Sequence, residues 1–220
     1  MRPIRSYVLR QGRTTPAQRR ALEQLYPKYG LPFTGEPLSP VQVFGRTAPL
    51  VLEIGSGMGE TTAAIAEAHA EADFIAVEVH GPGIGSLLNR IASKDLRNLR
   101  VVRHDAVEVL ERMIPDASLA AIHLFFPDPW PKKRHHKRRL VQPQFAALAA
   151  RKLAPSGVLH AATDWPDYAD HIRHVFSEHE NFREVEGGFA LRPATKFEAR
   201  GRRLGHPIRD LYFRLEKTLQ

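Results

Sequence analysis

From residue 49 onward, apolar runs alternate with segments that carry a helical pattern. The runs predict strands over residues 50–54, 74–79, 99–103, 119–126 and 157–163. The segments between and after them predict helices near residues 60–69, 85–93, 106–114, 141–153 and 168–179. Strands that alternate with helices form parallel sheets covered on both faces, so this order predicts an α/β fold with a mostly parallel central sheet and helices on both faces. The tail predicts two closing strands, 182–185 and 211–215, with no helix between them.

Residues 1–48 do not follow this pattern. They are basic, rich in Pro and Gly, and contain one short helical candidate at residues 16–26. We therefore divide the chain into a basic N-terminal arm, residues 1–48, which we expect to be partly flexible, and one domain, residues 49–220. The total of 220 residues is enough for a single domain with a full core.

The first predicted strand runs directly into a glycine-rich turn that contains Gly55, Gly57 and Gly59. Glycines permit a tight turn and let a ligand approach the backbone closely. The spacing differs from the dinucleotide pattern G-x-G-x-x-G, and Glu53 precedes the turn. A carboxylate there opposes a pyrophosphate and favours a cationic ligand. S-adenosylmethionine carries a sulfonium and an ammonium group but no phosphate, so the turn predicts this cofactor, bound by Glu53 and the glycines.

Acidic residues also follow the next two strands. Glu78 closes the second strand and Asp105 follows the third. Ligands of open α/β sheets bind outside the carboxyl ends of the strands. We expect Glu78 to accept from ribose hydroxyls and Asp105 to accept from the adenine amino group. The alternative is a glycine-rich turn with ordinary surface acids, and three acidic strand ends in succession count against it.

The fourth strand ends in Phe126-Pro127-Asp128-Pro129-Trp130. The prolines restrict the backbone and fix where Asp128 and Trp130 point. Many nucleic-acid amino-methyltransferases carry an Asn/Asp-Pro-Pro-aromatic loop at this site, where an oxygen accepts from the target amine and the aromatic ring stacks on the base. The pattern therefore predicts chemistry at Asp128. The alternative is a proline-stiffened loop with a packed tryptophan.

A cationic segment follows this loop directly. Six of the eight residues from 132 to 139 are Lys or Arg, and the chain has a formal net charge of +8. An excess of positive charge attracts polyanions. A charge run is usually a solvated face, but the position of this one beside the predicted reactive loop favours phosphate binding. A second basic stretch holds Arg200, Arg202, Arg203 and Arg209.

Other features narrow the class of protein. The chain has no cysteine, which excludes disulfides and cysteine-ligated metals. His171 and His174 share a predicted helix face but lack further ligands, so no metal is expected. We find neither a membrane span nor a secretory signal, and we expect a cytoplasmic protein with no membrane association.

The chain resembles the bacterial tRNA (guanine-N7-)-methyltransferases of the TrmB type. The matching segments are residues 5–13, 53–57, 77–80, 104–106, 125–131, 134 with 137–139, 163–165, 195–198 and 200–206. The combination of Pro-Asp-Pro-Trp with Thr-Lys-Phe-Glu is far more specific than the glycine turn. The departures, Gly81 and Pro207, are local and remove no functional residue.

The resemblance implies a Rossmann-like class I S-adenosylmethionine-dependent methyltransferase domain over residues 49–220. It implies adenosylmethionine contacts at Glu53, Glu78, Asp105 and Asp128, and a catalytic role for Asp128. The implied substrate contacts are Lys132, Asp164, Thr195, Lys196, Phe197 and Glu198. The implied RNA contacts are Arg134, Lys137, Arg138 and Arg139. The partner is tRNA, methylated at the variable-loop guanine, position 46, and no obligate protein partner is expected.

Two other functions stay open at this point. One is an N-methyltransferase that acts on an exocyclic amine of a nucleic acid, favoured by the Asp-Pro-Trp loop. The other is a non-catalytic RNA-binding protein on the same fold. The presence of Glu53, Glu78, Asp105 and Asp128 counts against the latter.

Overall fold

The computed structural model describes residues 5–7, 12–189 and 207–216. Within these residues, seven strands form one sheet in the order β3-β2-β1-β4-β5-β7-β6. The strands are β1 (Leu50–Ile54), β2 (Asp73–Val77), β3 (Leu99–Val102), β4 (Leu119–Phe125), β5 (Leu153–Thr163), β6 (Phe182–Val185) and β7 (Arg209–Leu215). β7 is antiparallel to both β5 and β6, and the remaining pairs are parallel. The predicted mostly parallel sheet is confirmed.

The central strands are apolar because both of their faces are covered. Every residue of β1 and of β2 is buried, as expected for parallel strands between two helical layers. Successive β1 residues belong to different cores, with Val51 in one and Leu52 in the other. The helices thus cover both faces of the sheet, as the alternation predicts.

The helices follow the chain order of the sequence prediction, with additions. They are α1 (Pro16–Gln24), α2 (Tyr26–Tyr29), α3 (Pro40–Phe44), α4 (Glu60–Ala68), α5 (Gly81–Ser93), α6 (Ala106–Glu108), α7 (Pro143–Lys152) and α8 (Pro166–Ser177). The helix expected over 106–114 is instead the short α6 followed by a π-helical turn, Val109–Met113. A 3₁₀ helix, Lys133–Arg138, lies in the cationic segment, to which the sequence patterns assigned no element.

The described part of the N-terminal region packs on the sheet domain. α1 begins at a capping box in which Thr15 and Gln18 bond each other's backbone N–H. It lies against α5, where a Cβ at Gly85 would come within 2.6 Å of the Gln18 carbonyl oxygen. Farther on, the Leu31 N–H donates to the Val101 carbonyl at 2.8 Å. The sequence predicted only one helix in this region, and the division at residue 48 and the flexibility of the arm stay predictions.

No helix within the described residues has the length and apolar character needed to cross a membrane.

Candidate active site

The carboxyl ends of β1 to β4 open into a cleft of about 230 Å³. Its wall includes Gly55, Glu78, Asp105 and Asp128, which the sequence places after four successive strands. Parallel strands bring their carboxyl ends to one edge of a sheet, and residues distant in sequence therefore meet there. The structure thus brings these four predicted site residues to one cleft, while their individual roles stay predictions; Glu53, Gly57 and Gly59 are not among the residues that line it.

The glycine turn has a backbone that requires glycine. Gly55, Gly57 and Gly59 have φ of 76°, 56° and 74°, in the left-handed region that costs glycine little. A Cβ at Gly83 on α5 would lie 2.3 Å from the Gly57 carbonyl oxygen, so α5 also closes tightly on the turn. Of the three glycines, Gly55 lines the cleft, where a ligand can approach its backbone without meeting a side chain.

The Glu78 side chain holds this turn in place through hydrogen bonds to backbone N–H groups. Its carboxylate accepts from the N–H of Gly57 at 2.9 Å, of Val79 at 2.8 Å and of His80 at 2.9 Å. These bonds orient the carboxylate at the wall of the cleft. The position suits the predicted contact with ribose hydroxyls.

Glu53 precedes Ile54 and Gly55, which line the cleft, and is itself 5% exposed. Burial raises the pKa of its carboxyl to about 7, the Thr62 hydroxyl lowers it in part, and the nearby charge of Glu78 raises it further. A cation bound in the cleft would stabilise the ionised form. The buried carboxyl therefore fits a ligand that carries a sulfonium or an ammonium group.

A buried polar row continues from Glu53 across the sheet. In register, Glu53 pairs with His123 on β4, and His123 pairs with His160 on β5. Burial, followed by the neighbouring His160, lowers the pKa of His123 to about 3. His160 Nε2 lies 2.8 Å from the Asp210 carboxylate on β7. Sequence reasoning missed this row, because single histidines inside apolar runs carry no pattern.

Two arm residues reach the same cleft. Ser6 and Tyr7 line it, and the Trp130 indole Nε1–H donates to the Ser6 carbonyl at 3.0 Å. The Tyr7 hydroxyl bonds the Asp105 carboxylate, and burial, then the charge of Asp105, raises the pKa of Tyr7. Asp105 also caps α6, accepting from the Val107 N–H at 2.9 Å. Only the resemblance pointed to this part of the arm.

The Pro-Asp-Pro-Trp loop carries backbone strain. Phe126 and Trp130 have φ of 51° and 45°, which costs a residue other than glycine roughly 1–3 kcal/mol and persists only where the surroundings hold it. The Arg138 guanidinium lies 4.8 Å from the centre of the Trp130 ring, and His135 packs edge-on against that ring at 5.8 Å. The loop is thus held in a defined shape beside the cationic segment.

The cationic segment presents a charged face next to this loop. Lys132, Arg134 and Lys137 are exposed and Arg138 is half-buried. Burial, then the neighbouring cations, lowers the pKa of His135. The exposed members suit the predicted phosphate contacts.

Arg139 does not belong to this face. Its side chain is 1% exposed and bonds the Pro129 carbonyl and the Asp167 carboxylate. The expectation that Arg139 meets RNA stays a prediction, but the guanidinium is almost fully buried and already has protein partners in this structure. Its position at the end of a charge run gave no sign of burial.

Comparison with known proteins decides the family. The family model described as "Putative methyltransferase" matches residues 47–211. A tRNA (guanine-N(7)-)-methyltransferase of Nitrosomonas europaea is 60% identical over 215 residues, which cover 96% of each chain. Another, of Nitrosospira multiformis, is 54% identical over 217 residues, which cover 97% of this chain and 95% of the relative.

The chain belongs to the tRNA (guanine-N7-)-methyltransferase family.

A solved structure outside this family shares the fold. The 16S rRNA methyltransferase KamB superposes with a TM-score of 0.56 at 17% identity, over 80% of this chain and 92% of that one. The fold is the Rossmann-like fold of class I S-adenosylmethionine-dependent methyltransferases, as the resemblance implied. S-adenosylmethionine is the methyl donor of the family, and the buried Glu53 and the open glycine turn fit it.

The other residues that the family resemblance implied lie apart from the cleft wall or outside the described chain. Asp164 is exposed just after β5, where the Thr163 hydroxyl accepts from the Trp165 N–H at 3.1 Å. Thr195, Lys196, Phe197 and Glu198 lie outside the described residues, so their substrate roles stay predictions. Across the described residues, no three His, Asp or Glu side chains gather as metal ligands.

Proposed function

We propose that this protein transfers the methyl group of S-adenosylmethionine to N7 of a guanine in tRNA. One structural observation supports the proposal in addition to family membership. Asp128 lines the same cleft as Glu78 and Asp105, and the exposed cations of residues 132–137 follow it directly in the chain. A cofactor site and a surface for a polyanion therefore meet at one carboxylate.

The chemistry of N7 suits this arrangement. The N7 lone pair lies in the ring plane and bears no proton, so attack needs no general base. S-adenosylmethionine supplies an electrophilic methyl group on sulfur. The protein must hold the guanine in line with that group and exclude water. The Asp128 carboxylate stabilises the positive charge that develops on the purine.

The substrate is a tRNA in which this guanine is accessible. The deep, narrow major groove of A-form RNA hides N7, which favours a base in a loop, and we assign the variable-loop guanine, position 46. Lys132, Asp164 and residues 195–198 contact the substrate, and Arg134, Lys137 and Arg138 bind phosphates. We further propose that the protein acts in the cytoplasm, away from membranes and without an obligate protein partner.

The deciding experiment combines purified protein, S-adenosylmethionine labelled in its methyl group and unmodified tRNA. The tRNA is digested to nucleosides, and we expect the label in 7-methylguanosine. A parallel tRNA with position 46 changed to adenosine should stay unlabelled. Label in a nucleoside methylated on an exocyclic amine would establish the first alternative function, and tRNA binding without any transfer would establish the second.

A further inference from the structure

Arg139 makes contacts that differ in kind from those of its cationic neighbours. Its Nε–H donates to the Pro129 carbonyl at 2.9 Å, and its Nη2 bonds the Asp167 carboxylate. The guanidinium lies 4.9 Å from the centre of the Tyr168 ring. A planar group with a fixed fork of donors and a face that stacks on rings matches these three partners at once.

These partners belong to two different segments, the loop after β4 and the start of α8. Pro129 stands between Asp128 and Trp130 in the strained loop at the end of β4. Asp167 lies in the first turn of α8, three residues after Asp164. Arg139 therefore joins the loop that carries Asp128 to the segment that carries a predicted substrate contact.

The loop needs such support. Phe126 and Trp130 have positive φ, and strained residues keep this conformation only when their surroundings over-determine it. The Trp130 indole bonds the Ser6 carbonyl, and Arg139 holds the Pro129 carbonyl from the protein interior. The Pro129 carbonyl belongs to the peptide unit that joins Pro129 to Trp130, one unit after the one that joins Asp128 to Pro129, so its position constrains the backbone between the two side chains.

We infer that Arg139 is a positioning residue, which sets the placement of Asp128 and Trp130 for methyl transfer and does not bind tRNA. The inference rests on the proposed function for its kinetic consequence, but its structural consequence can be measured without catalysis.

The test uses the full-length protein with Arg139→Lys, which keeps the charge but loses the fork of donors. We expect kcat at saturating tRNA and S-adenosylmethionine to fall about 10- to 100-fold, because small misplacements of reacting groups have effects of this size. The tRNA dissociation constant and its salt dependence should match those of the wild type. In NMR spectra, the indole N–H resonance of Trp130 should shift. The chain has two tryptophans, Trp130 and Trp165, so the signal that disappears in Trp165→Phe belongs to Trp165 and the other to Trp130.

Lys137→Gln is the matched control. It removes an exposed cation two residues away, so it should weaken the salt dependence of tRNA binding and leave the Trp130 resonance in place. If Arg139→Lys instead lowers the salt slope by about 1 and leaves kcat unchanged, Arg139 is an RNA contact and the inference is wrong. An unchanged Trp130 resonance with unchanged kcat also overturns it.

Asp167→Asn provides a second route if Arg139→Lys does not fold. It removes the charged partner of the guanidinium while leaving Arg139 in the chain, and we expect the same direction of change in kcat and in the Trp130 resonance. The double variant should show less than the sum of the two single effects, because both act through one contact. If the wild type fails to methylate tRNA, the proposed function fails, and the resonance still decides whether Arg139 sets the loop.

Discussion

At the residue scale, Asp128 is a carboxylate whose neighbours in the chain restrict the backbone. It sits between two prolines, in a loop where Phe126 and Trp130 both have positive φ, and it lines the cleft. The proposed function requires this charge to stay near the purine as the base becomes cationic. A fixed charge of this kind stabilises a transition state without reorganising during the reaction.

Replacing Asp128 with Asn keeps the size and removes the charge. We expect the single-turnover rate of tRNA methylation to fall on the order of 10²-fold, as for other preorganised electrostatic contacts. Asp95→Asn, which alters an exposed aspartate, is the control and should leave the rate unchanged. A near-normal rate in Asp128→Asn would contradict the electrostatic role. A wild-type rate that climbs tenfold per pH unit through neutrality would favour proton removal and an exocyclic-amine target.

The burial of Glu53 makes its contribution to protein stability depend on pH. Burial raises the pKa of its carboxyl from 4.5 in the unfolded chain to about 7, so the folded protein binds more protons between these values. The contribution of Glu53 to stability is therefore fully present below about pH 4.5 and is lost as pH rises toward 7, by up to about 3 kcal/mol. Glu53→Gln should remove this loss. Its free energy of unfolding, measured without cofactor, should exceed that of the wild type at pH 8 and converge with it at pH 4. If the free energies of unfolding of Glu53→Gln and the wild type differ by the same amount at both pH values, the pKa of Glu53 is not raised.

At the element scale, α1 and α5 meet through backbone contact. A Cβ at Gly85 would lie 2.6 Å from the Gln18 carbonyl oxygen and 3.0 Å from its Cα, and backbone atoms of a capped helix cannot yield cheaply. We expect Gly85→Ala to displace α1 and to lower the free energy of unfolding by roughly 1–3 kcal/mol, as overpacking does.

Gly81 in the same helix provides the control. A Cβ there would meet only the end of the Arg103 side chain, at 3.1 Å, which can move away. Gly81→Ala should therefore leave the thermal midpoint near that of the wild type. If both variants unfold alike, the cost lies in the helix itself and not in its contact with α1.

At the scale of the whole molecule, charge is distributed unevenly. The chain carries a net charge of +8, yet carboxylates line the cleft. The exposed cations lie beside the Pro-Asp-Pro-Trp loop. Long-range attraction therefore draws a polyanion toward the molecule, while the cleft itself favours a cation.

Binding of tRNA should accordingly depend strongly on salt. If about four cations meet phosphates, the slope of log K against log salt concentration should be near −3. Replacing Lys132, Arg134 and Lys137 with Ala should flatten that slope by about 2 to 3 and leave the affinity for S-adenosylmethionine unchanged. Replacing Lys28, Lys94 and Arg97, which lie outside the cationic segment, should change the slope little. An unchanged slope in the first variant would make the segment an ordinary solvated surface.

Sequence patterns alone predicted a mostly parallel sheet and the edge at which the carboxylates meet, but they did not predict α2, α3 or the order of the strands in the sheet. Alternating apolar and helical patterns are local, and they predicted each strand of the sheet to within a few residues. The acids Glu78, Asp105 and Asp128 could be placed together because parallel strands always bring their carboxyl ends to one edge.

The directions of individual side chains depend on contacts between segments that are distant in the chain. Arg139 has the same charge as Lys137, yet it turns inward because Asp167 and Tyr168, far along the chain, lie beneath it. The bond between Trp130 and Ser6 spans 124 positions, and the pairing of Glu53 with His123 exists only in the sheet. Local composition sets what a segment can form, whereas a side chain's partner depends on which distant segments pack against it.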